Sequence, residues 1–173
     1  MRPLDTMVPV HWHHSRPVTH VLHPGDVSLA YSGDRLETLL GSCVAVLMTD
    51  RKRTTAAMCH IVHTNRPNDA RALSTSFAGA AMLEMFKRLR SSGLAPELCD
   101  TWVFGGGHMF PGRSDVLDVG GRNVKWVHAF LRSQHIRPRG ELVGGHQYRK
   151  VAWTVGPTPP EQAVAEVDVA PSR

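Results

Sequence analysis

The sequence predicts an α+β fold in a single domain, a layered mixed β-sheet with flanking helices. Short runs of apolar and β-branched residues follow one another along the first third of the chain, so consecutive strands outnumber crossover connections. Only two segments place apolar residues at helical spacing. The chain has 173 residues, enough for one core that buries about two thirds of the unfolded surface. These observations favour one domain over a series of βαβ units.

The first half of the chain is predicted to consist mainly of strands. Residues 26–31 and 35–40 are two predicted strands that lead into a β-hairpin. The hairpin joins an apolar run at residues 44–48 to another at residues 55–62 through a charged turn at residues 50–53. Because this turn lacks the glycine of two-residue hairpin loops, we expect a symmetric four-residue loop.

The second half is predicted to contain both helices. Residues 76–91 form the first, with a basic last turn and Gly93 to end it. A short strand at residues 102–104 runs into three glycines, and a second helix is expected to begin with Asn123 as its N-cap. Alternating apolar residues at positions 151–155 predict a final strand. The residues expected on the buried faces of the two helices are Ala78, Met82, Met85, Phe86, Leu89, Val124, Val127 and Leu131.

Both ends of the chain have the composition of flexible segments. Residues 1–17 hold three prolines and three histidines without periodicity, and residues 157–173 begin with a proline-rich run and then become acidic. The folded domain is therefore expected to span residues 18–156.

The most informative pair of residues lies in the hairpin. If the turn is centred between Arg51 and Lys52, antiparallel partners have residue numbers that sum to 103, which makes Cys43 and His60 direct partners. Direct cross-strand partners have Cβ atoms about 4.5 to 5.5 Å apart on one face of the sheet. An imidazole at that distance can take the proton of a thiol.

This pairing predicts a cysteine nucleophile with a histidine base. The thiolate is the reactive form of cysteine, and a neighbouring imidazole raises its fraction. Gly41 and Ser42, directly before Cys43, allow close approach of a substrate and supply consecutive N–H groups for an oxyanion hole. Thr38 is positioned to orient the imidazole as a third member of a triad.

Two alternatives remain open at this point. Cys43 can be an inert buried cysteine and His60 a core histidine, since buried free cysteines are common. A metal hydrolase is the other alternative, because His60 has further residues of metal-ligand type to combine with, namely Cys59, His63, His108 and His146. Against it, His60 and His63 would face opposite sides of a strand.

Several sequence fragments, in order, resemble the signature of the chemoreceptor glutamine deamidases, the CheD family. The run from Thr38 to Val46, followed by Met58-Cys59-His60, is similar to the segment around the family's nucleophile and base. Residues 21–27 resemble its opening strand. Three further similar runs are Phe104-Gly105-Gly106-Gly107-His108-Met109-Phe110, Gly121-Arg122-Asn123-Val124, and Val143-Gly144-Gly145 with Tyr148-Arg149-Lys150-Val151. The resemblance covers residues 18–156. His108 departs from the usual small residue or asparagine, and the stretch between His60 and Arg66-Pro67 departs from the family's Leu-Pro.

The resemblance implies a catalytic triad of Cys43, His60 and Thr38 and a protein-glutamine deamidase that needs no cofactor or metal. The implied substrates are glutamines on the cytoplasmic domain of methyl-accepting chemoreceptors, which become glutamates through a cysteine thioester. A CheC-type chemotaxis phosphatase is an implied possible partner, so an adaptor role is a further alternative. The implied fold is similar to that of deamidating bacterial toxins.

The glycine runs are expected to shape the site. Gly105-Gly106-Gly107 lacks the spacing and the lysine of a P-loop, so we expect no nucleotide. We assign Gly106 and Gly107 to substrate or oxyanion binding, together with Gly41 and Ser42. The alternative that these glycines serve only structural turns remains open.

Composition constrains partners and compartment. The net charge is +5, but the basic residues are scattered, without interleaved aromatic residues, so we do not expect nucleic-acid binding. The three cysteines are an odd number, and no charged and apolar leader precedes them, so a reducing cytoplasm is expected. No apolar run approaches the length that spans a membrane.

Overall fold

The structure is a computed structural model, and it describes residues 16–64, 74–109 and 118–167. The described elements, in chain order, are β1 (Thr19–Val21), β2 (Val27–Tyr31), β3 (Arg35–Leu40), β4 (Val44–Thr49), β5 (Thr55–Ile61), α1 (Ala78–Ser91), β6 (Asp100–Gly105), α2 (Val119–Ser133), β7 (Gly140–Val143), β8 (Tyr148–Thr154) and β9 (Val164–Val167). Two short 3-10 turns lie at Pro96–Leu98 and Pro160–Ala163.

The strands form two sheets, and the predicted α+β class is confirmed. The five-stranded sheet has the order β2-β5-β4-β6-β7, and the four-stranded sheet has the order β1-β3-β8-β9. Both are mixed, because β6 pairs with β7 and β1 with β3 in parallel while the other pairs are antiparallel. The result is a layered mixed-sheet domain with two helices.

The two faces of the five-stranded sheet bury two separate cores. One face, here called the outer face, packs Val46 and Val103 against Met82 of α1 and Leu131 of α2. The other, the inner face, packs against the four-stranded sheet. Its buried residues include Ala45, Leu47, Met58 and Phe104, with Leu36, Leu40, Val151 and Trp153 from the facing sheet. Alternation along each strand therefore decides which core a side chain enters.

The hairpin is present, but its predicted register is wrong. In the structure Ala45 pairs with His60 and Thr49 with Ala56, so partners sum to 105 rather than 103. The Asp50 carboxylate accepts hydrogen bonds at 2.8 Å from the N–H groups of Thr54 and Thr55, which draws Thr54 into the loop. Arg53 adopts a left-handed backbone, with φ of 54°. The loop is thus centred between Lys52 and Arg53, one residue later than predicted, and the pairing of the strands shifts by two residues, which preserves the face of each side chain.

Helix boundaries differ from the predictions mainly at α2. Helix α1 buries all five residues predicted for it. Helix α2 begins at Val119, and its N-cap is Asp118, whose carboxylate accepts the Gly121 N–H at 2.8 Å. The prediction of Asn123 as N-cap is therefore wrong. Asn123 lies inside the helix and is buried.

Strands β7 and β9 were not predicted, and residues 21–27, which resemble the family's opening strand, instead run from the last residue of β1 to the first residue of β2. Strand β9 and the 3-10 turn before it lie in the segment predicted to be a flexible tail, and β9 pairs with β8 over Val164–Val167. The predicted flexible N-terminal segment falls almost wholly outside the described residues.

Candidate active site

A side-chain hydrogen bond joins the two sheets at one end of the inner core. Thr38 of β3 and His60 of β5 face each other, with Thr38 Oγ1 2.8 Å from His60 Nδ1. The same hydroxyl lies 2.8 Å from the carbonyl oxygen of Leu22. Both side chains are buried. The structure therefore brings together two of the three residues predicted as a triad.

These contacts determine which nitrogen of His60 carries the proton. The Leu22 carbonyl oxygen only accepts hydrogen bonds, and it also lies 3.4 Å from His60 Nδ1. All three atoms are satisfied when the Thr38 hydroxyl donates to Leu22 and His60 Nδ1–H donates to Thr38 Oγ1. The neutral imidazole then keeps a free lone pair on Nε2.

The other ring nitrogen is available for chemistry. His60 is only 2% exposed, and its buried Nε2 has no hydrogen-bond partner among the residues that the structure describes. Burial lowers the pKa of His60, with a smaller opposing contribution from the Leu22 carbonyl. A neutral imidazole with an unpartnered nitrogen is the form that a general base requires.

Cys43 lies immediately before β4, on the same side of the sheet as His60. Cys43 packs against the inner core. Ala45, two residues further along the chain, is the direct cross-strand partner of His60. Cys43 and His60 are therefore diagonal neighbours, a relation that typically separates Cα atoms by about 7 to 8 Å. This replaces the direct pairing predicted from the sequence.

The Cys43 thiol is half-buried, and burial raises its pKa. At neutral pH the thiol is therefore protonated, and no hydrogen bond joins it to His60 in this structure. A protonated thiol needs a base to become a nucleophile. The pair is thus in its neutral form, thiol beside imidazole, rather than an ion pair.

The backbone before and at Cys43 is held by three hydrogen bonds. The carbonyl oxygens of Gly41 and Cys43 accept from Gly107 N at 2.8 Å and Gly106 N at 2.7 Å. The carbonyl oxygen of Ser42 accepts from the side-chain Nδ2 of Asn123 at 3.1 Å. All three consecutive carbonyl groups are therefore fixed by groups from other parts of the chain.

The glycine loop after β6 allows this close approach. Gly105 and Gly106 have φ values of 98° and 64°, a region that favours glycine. A Cβ atom on Gly105 would lie 2.3 Å from the Cys43 carbonyl oxygen. The N–H groups of Gly106 and Gly107 already donate to the segment at residues 41–43, so they are not free to bind an oxyanion.

A second loop packs against the glycine loop. The Gly145 carbonyl oxygen accepts from His108 N at 2.7 Å, and the buried Arg149 donates to the Gly144 carbonyl oxygen at 2.6 Å. The sequence analysis did not predict that Arg149 and Asn123 lie near the site. Both residues belong to the glycine-containing runs that resemble the CheD family, and this resemblance is the sequence signal that could have identified them.

The other histidines that the structure describes do not form a metal site with His60. His108 Nδ1 lies 3.5 Å from Asp118 Oδ1, and His146 contacts the His108 backbone. His63 packs against the ring of Phe77. Within residues 16–64, 74–109 and 118–167, no three His, Cys, Asp or Glu side chains form a group that could hold a metal ion. The predicted motif residues Phe110, Arg66 and Pro67 and the histidines at positions 11, 13 and 14 lie outside the described residues.

Two cavities flank the first turns of α2. One, of about 250 Å³, is lined by His63, Thr64, Phe77, Val119, Arg122 and Asn123. A smaller one, of about 20 Å³, includes Ser42 and Gly107 in its lining. Helix α2 therefore borders the approach to the segment that carries Cys43.

None of the helices in the described part of the chain is long and apolar enough to cross a membrane.

Comparison with known proteins identifies the family. The family model described as CheD chemotactic sensory transduction matches residues 62–157, more than half of the chain. A probable chemoreceptor glutamine deamidase CheD 2 of Albidiferax ferrireducens is 31% identical over 144 residues, covering 81% of this chain and 83% of that protein. CheD 3 of Dechloromonas aromatica is 32% identical over 136 residues, covering 78% and 80%. CheD of Methanococcus maripaludis is 29% identical over 127 residues, covering 73% and 82%. A match over 81% of this chain must include the stretch from Thr38 to His60, and with the family model it shows that the chain belongs to the CheD family.

Proposed function

We propose that this protein hydrolyses the side-chain amide of selected glutamines on chemoreceptors, leaving glutamate and releasing ammonia. Relatives that share about 30% of their residues with this chain are named probable chemoreceptor glutamine deamidases. The proposed catalytic residues are Cys43, His60 and Thr38. Chemotaxis signalling is the process that this reaction serves.

One observation carries the proposal. His60 Nδ1 is committed to Thr38 at 2.8 Å, while His60 Nε2 is buried, lacks a described partner, and lies on the face of the sheet where Cys43 packs. An inert core histidine is expected to satisfy both ring nitrogens, since an unpaired buried polar atom costs about 1 to 3 kcal/mol. The unpaired nitrogen therefore favours a functional role for His60.

The reaction begins with transfer of the Cys43 proton to His60 Nε2. The sulfur attacks the δ-carbonyl carbon of the glutamine, and the carbonyl oxygen becomes an oxyanion. When the tetrahedral intermediate collapses, the C–N bond breaks, His60 returns the proton to the nitrogen, and ammonia leaves. A thioester joins Cys43 to the substrate.

Water completes the turnover. His60 takes a proton from a water molecule as it attacks the thioester carbonyl, and the C–S bond then breaks. The sulfur leaves with the proton that His60 returns, so the free thiol and a glutamate side chain result. His60 thus acts as base and acid in both halves of the reaction, and Thr38 holds the tautomer that this requires.

The oxyanion is proposed to bind the N–H groups of Ser42 and Cys43. Neither N–H donates to any residue within the described ranges, while the carbonyls of this segment are all anchored. The neighbouring glycines contribute by shape, since a Cβ on Gly41 would lie 3.0 Å from the Tyr148 ring. Gly106 and Gly107 act by holding the segment at residues 41–43 rather than by binding the oxyanion.

The partners follow from the substrate. The protein meets the cytoplasmic domain of a chemoreceptor in the cytoplasm, and its net charge of +5 favours an acidic receptor surface through long-range attraction. A CheC-type phosphatase partner remains a prediction of the family resemblance.

Mass spectrometry of the substrate tests the proposal. Incubated with the purified cytoplasmic fragment of a chemoreceptor from the same cell, the protein should convert one or a few glutamines, each gaining the mass difference between –NH2 and –OH, with one ammonia released per change. Treatment with a thiol-alkylating reagent should abolish the conversion, and a chelator should not affect it. An unchanged receptor mass while the protein binds the receptor would identify an adaptor, and loss of activity with the chelator alone would identify a metal hydrolase.

A further inference from the structure

The segment at residues 41–43 is anchored in an unusual way. Its three consecutive carbonyl oxygens each accept a hydrogen bond, but only the middle one is held by a side chain. Gly41 and Cys43 are held by backbone N–H groups of the glycine loop, whereas Ser42 is held by Asn123. The orientation of the Ser42–Cys43 peptide therefore depends on one replaceable side chain.

We propose that Asn123 is a positioning residue that fixes the Ser42–Cys43 peptide so that the Cys43 N–H points at the developing oxyanion. The inference rests on the proposed thioester reaction. No cis peptide bond occurs in the described residues, and in a planar trans peptide the C=O and N–H point in opposite directions. Anchoring the Ser42 carbonyl on α2 therefore turns the Cys43 N–H away from α2, to a side where no described residue accepts it.

The chemistry of asparagine suits this role. Its Nδ2 carries two protons, and the second bond goes to the Val62 carbonyl oxygen at 3.0 Å. Val62 follows His60 by two residues, so one buried amide connects the nucleophile segment to the strand that carries the base. Asn123 is 1% exposed, so water does not compete for these carbonyls. An aspartate would turn a carboxylate oxygen toward them, and a leucine would leave both without a donor.

Two reactions of the same thiol separate this role from a general structural one. Attack on an amide carbonyl creates an oxyanion, so it needs the Cys43 N–H in place. Alkylation by iodoacetamide displaces iodide from a saturated carbon and creates no oxyanion. A loss of peptide orientation should therefore slow the first reaction and spare the second.

The test compares Asn123→Leu with wild type and with Val127→Ala. Val127 is fully buried one helical turn further along α2 in the core of the outer face, and it makes no hydrogen bond through its side chain, so Val127→Ala weakens the helix packing. We expect Asn123→Leu to lower kcat for ammonia release from the chemoreceptor fragment about a hundredfold, the typical cost of a 1 Å misplacement. KM and the rate of Cys43 alkylation should stay at the wild-type values. Val127→Ala should lower the melting temperature without changing kcat.

Asn123→Ser is the second variant, because it leaves room for water beside the two carbonyls and so protects folding if the leucine variant is insoluble. An unchanged kcat in either folded variant would overturn the proposal, as would an equal loss of amide hydrolysis and of alkylation. If wild type itself forms no glutamate, the proposed function and this inference fall together. If wild type is active and Asn123→Leu equals it, only the role of Asn123 falls.

Discussion

The hairpin carries two cysteines, and the two faces of the sheet give them opposite properties. Cys59 points to the outer face, is fully buried, and lies 3.9 Å from the sulfur of Met82. Burial raises its pKa to about 12. Cys43 packs at the margin of the inner face, half-buried, on the side of His60. Cys59 is therefore a packing residue on one face of the sheet, and Cys43 is a candidate nucleophile on the other. The cysteine next to His60 in sequence is not the one that shares its face.

Removing each thiol in turn is the most direct test of this difference between the two cysteines. Cys43→Ala should reduce deamidation of the receptor fragment to the background of the uncatalysed reaction, because it removes the thiol proposed to form the thioester. Cys59→Ala should keep wild-type activity but cost roughly 1 kcal/mol of unfolding free energy through lost packing. Ammonia release and denaturant unfolding measure the two effects. Wild-type activity in Cys43→Ala would contradict the proposed mechanism.

Removing the proposed base, His60, should have nearly as large an effect. His60→Ala is expected to lower kcat to near background, since the raised pKa of Cys43 leaves the thiol protonated at neutral pH. The double variant with Cys43→Ala should be little worse than either single variant, because residues that act as one unit are not additive. Multiplicative losses in the double variant would show that the two residues act independently.

A substitution at Thr38 tests how much the orientation of the His60 ring contributes to activity. Thr38→Val keeps the shape and removes the hydroxyl that accepts from His60 Nδ1, a loss of about 1.5 kcal/mol, which corresponds to about a tenfold lower kcat. Activity should remain measurable because the Leu22 carbonyl, 3.4 Å from Nδ1, can still accept.

Thr49→Val is the matched control for this variant. Thr49 is also buried, and its hydroxyl donates to the Thr55 carbonyl at 2.8 Å, but at the turn end of the hairpin. It should lose stability and keep kcat. Equal activity losses in the two threonine variants would argue against an orienting role for Thr38.

The sequence was sufficient to predict those features that depend on the alternation of buried and exposed residues along a strand and on the chemistry of the side chains. Strand β3 was predicted at its observed bounds, because its buried and exposed residues alternate. The shared face of Cys43 and His60 survived an error in register, because a slip of two residues preserves the face. The register itself depends on the Asp50 carboxylate and the left-handed Arg53, which no periodicity reveals.

The contacts made by single side chains across the fold were beyond the sequence. Asn123 has the residue type of an N-cap, and nothing local distinguishes that role from its bonds to Ser42 and Val62, which are distant along the chain. Strand β9 is short and half-exposed, so it lacks the buried alternation that predicts strands. Its formation depends on pairing with β8 rather than on its own pattern.

The smallest expected effect is the pH dependence, and it tests the electrostatic side of the comparison. Burial lowers the pKa of His60 below its ordinary value of 6.5, so at pH 6.5 more than half of the imidazole remains neutral. We therefore expect kcat/KM at pH 6.5 to be reduced less than twofold from its plateau, with the steep loss at lower pH as His60 becomes protonated. Because the folded pKa is the lower one, His60 also contributes stability that is present above the unfolded pKa and lost as pH falls through the folded pKa. The pH profile of ammonia release and the difference in melting temperature between wild type and His60→Ala measure both effects. A kinetic midpoint at or above 6.5 would mean that the imidazole is stabilised in its charged form, as in a thiolate–imidazolium pair, and the neutral pair inferred from burial would be wrong.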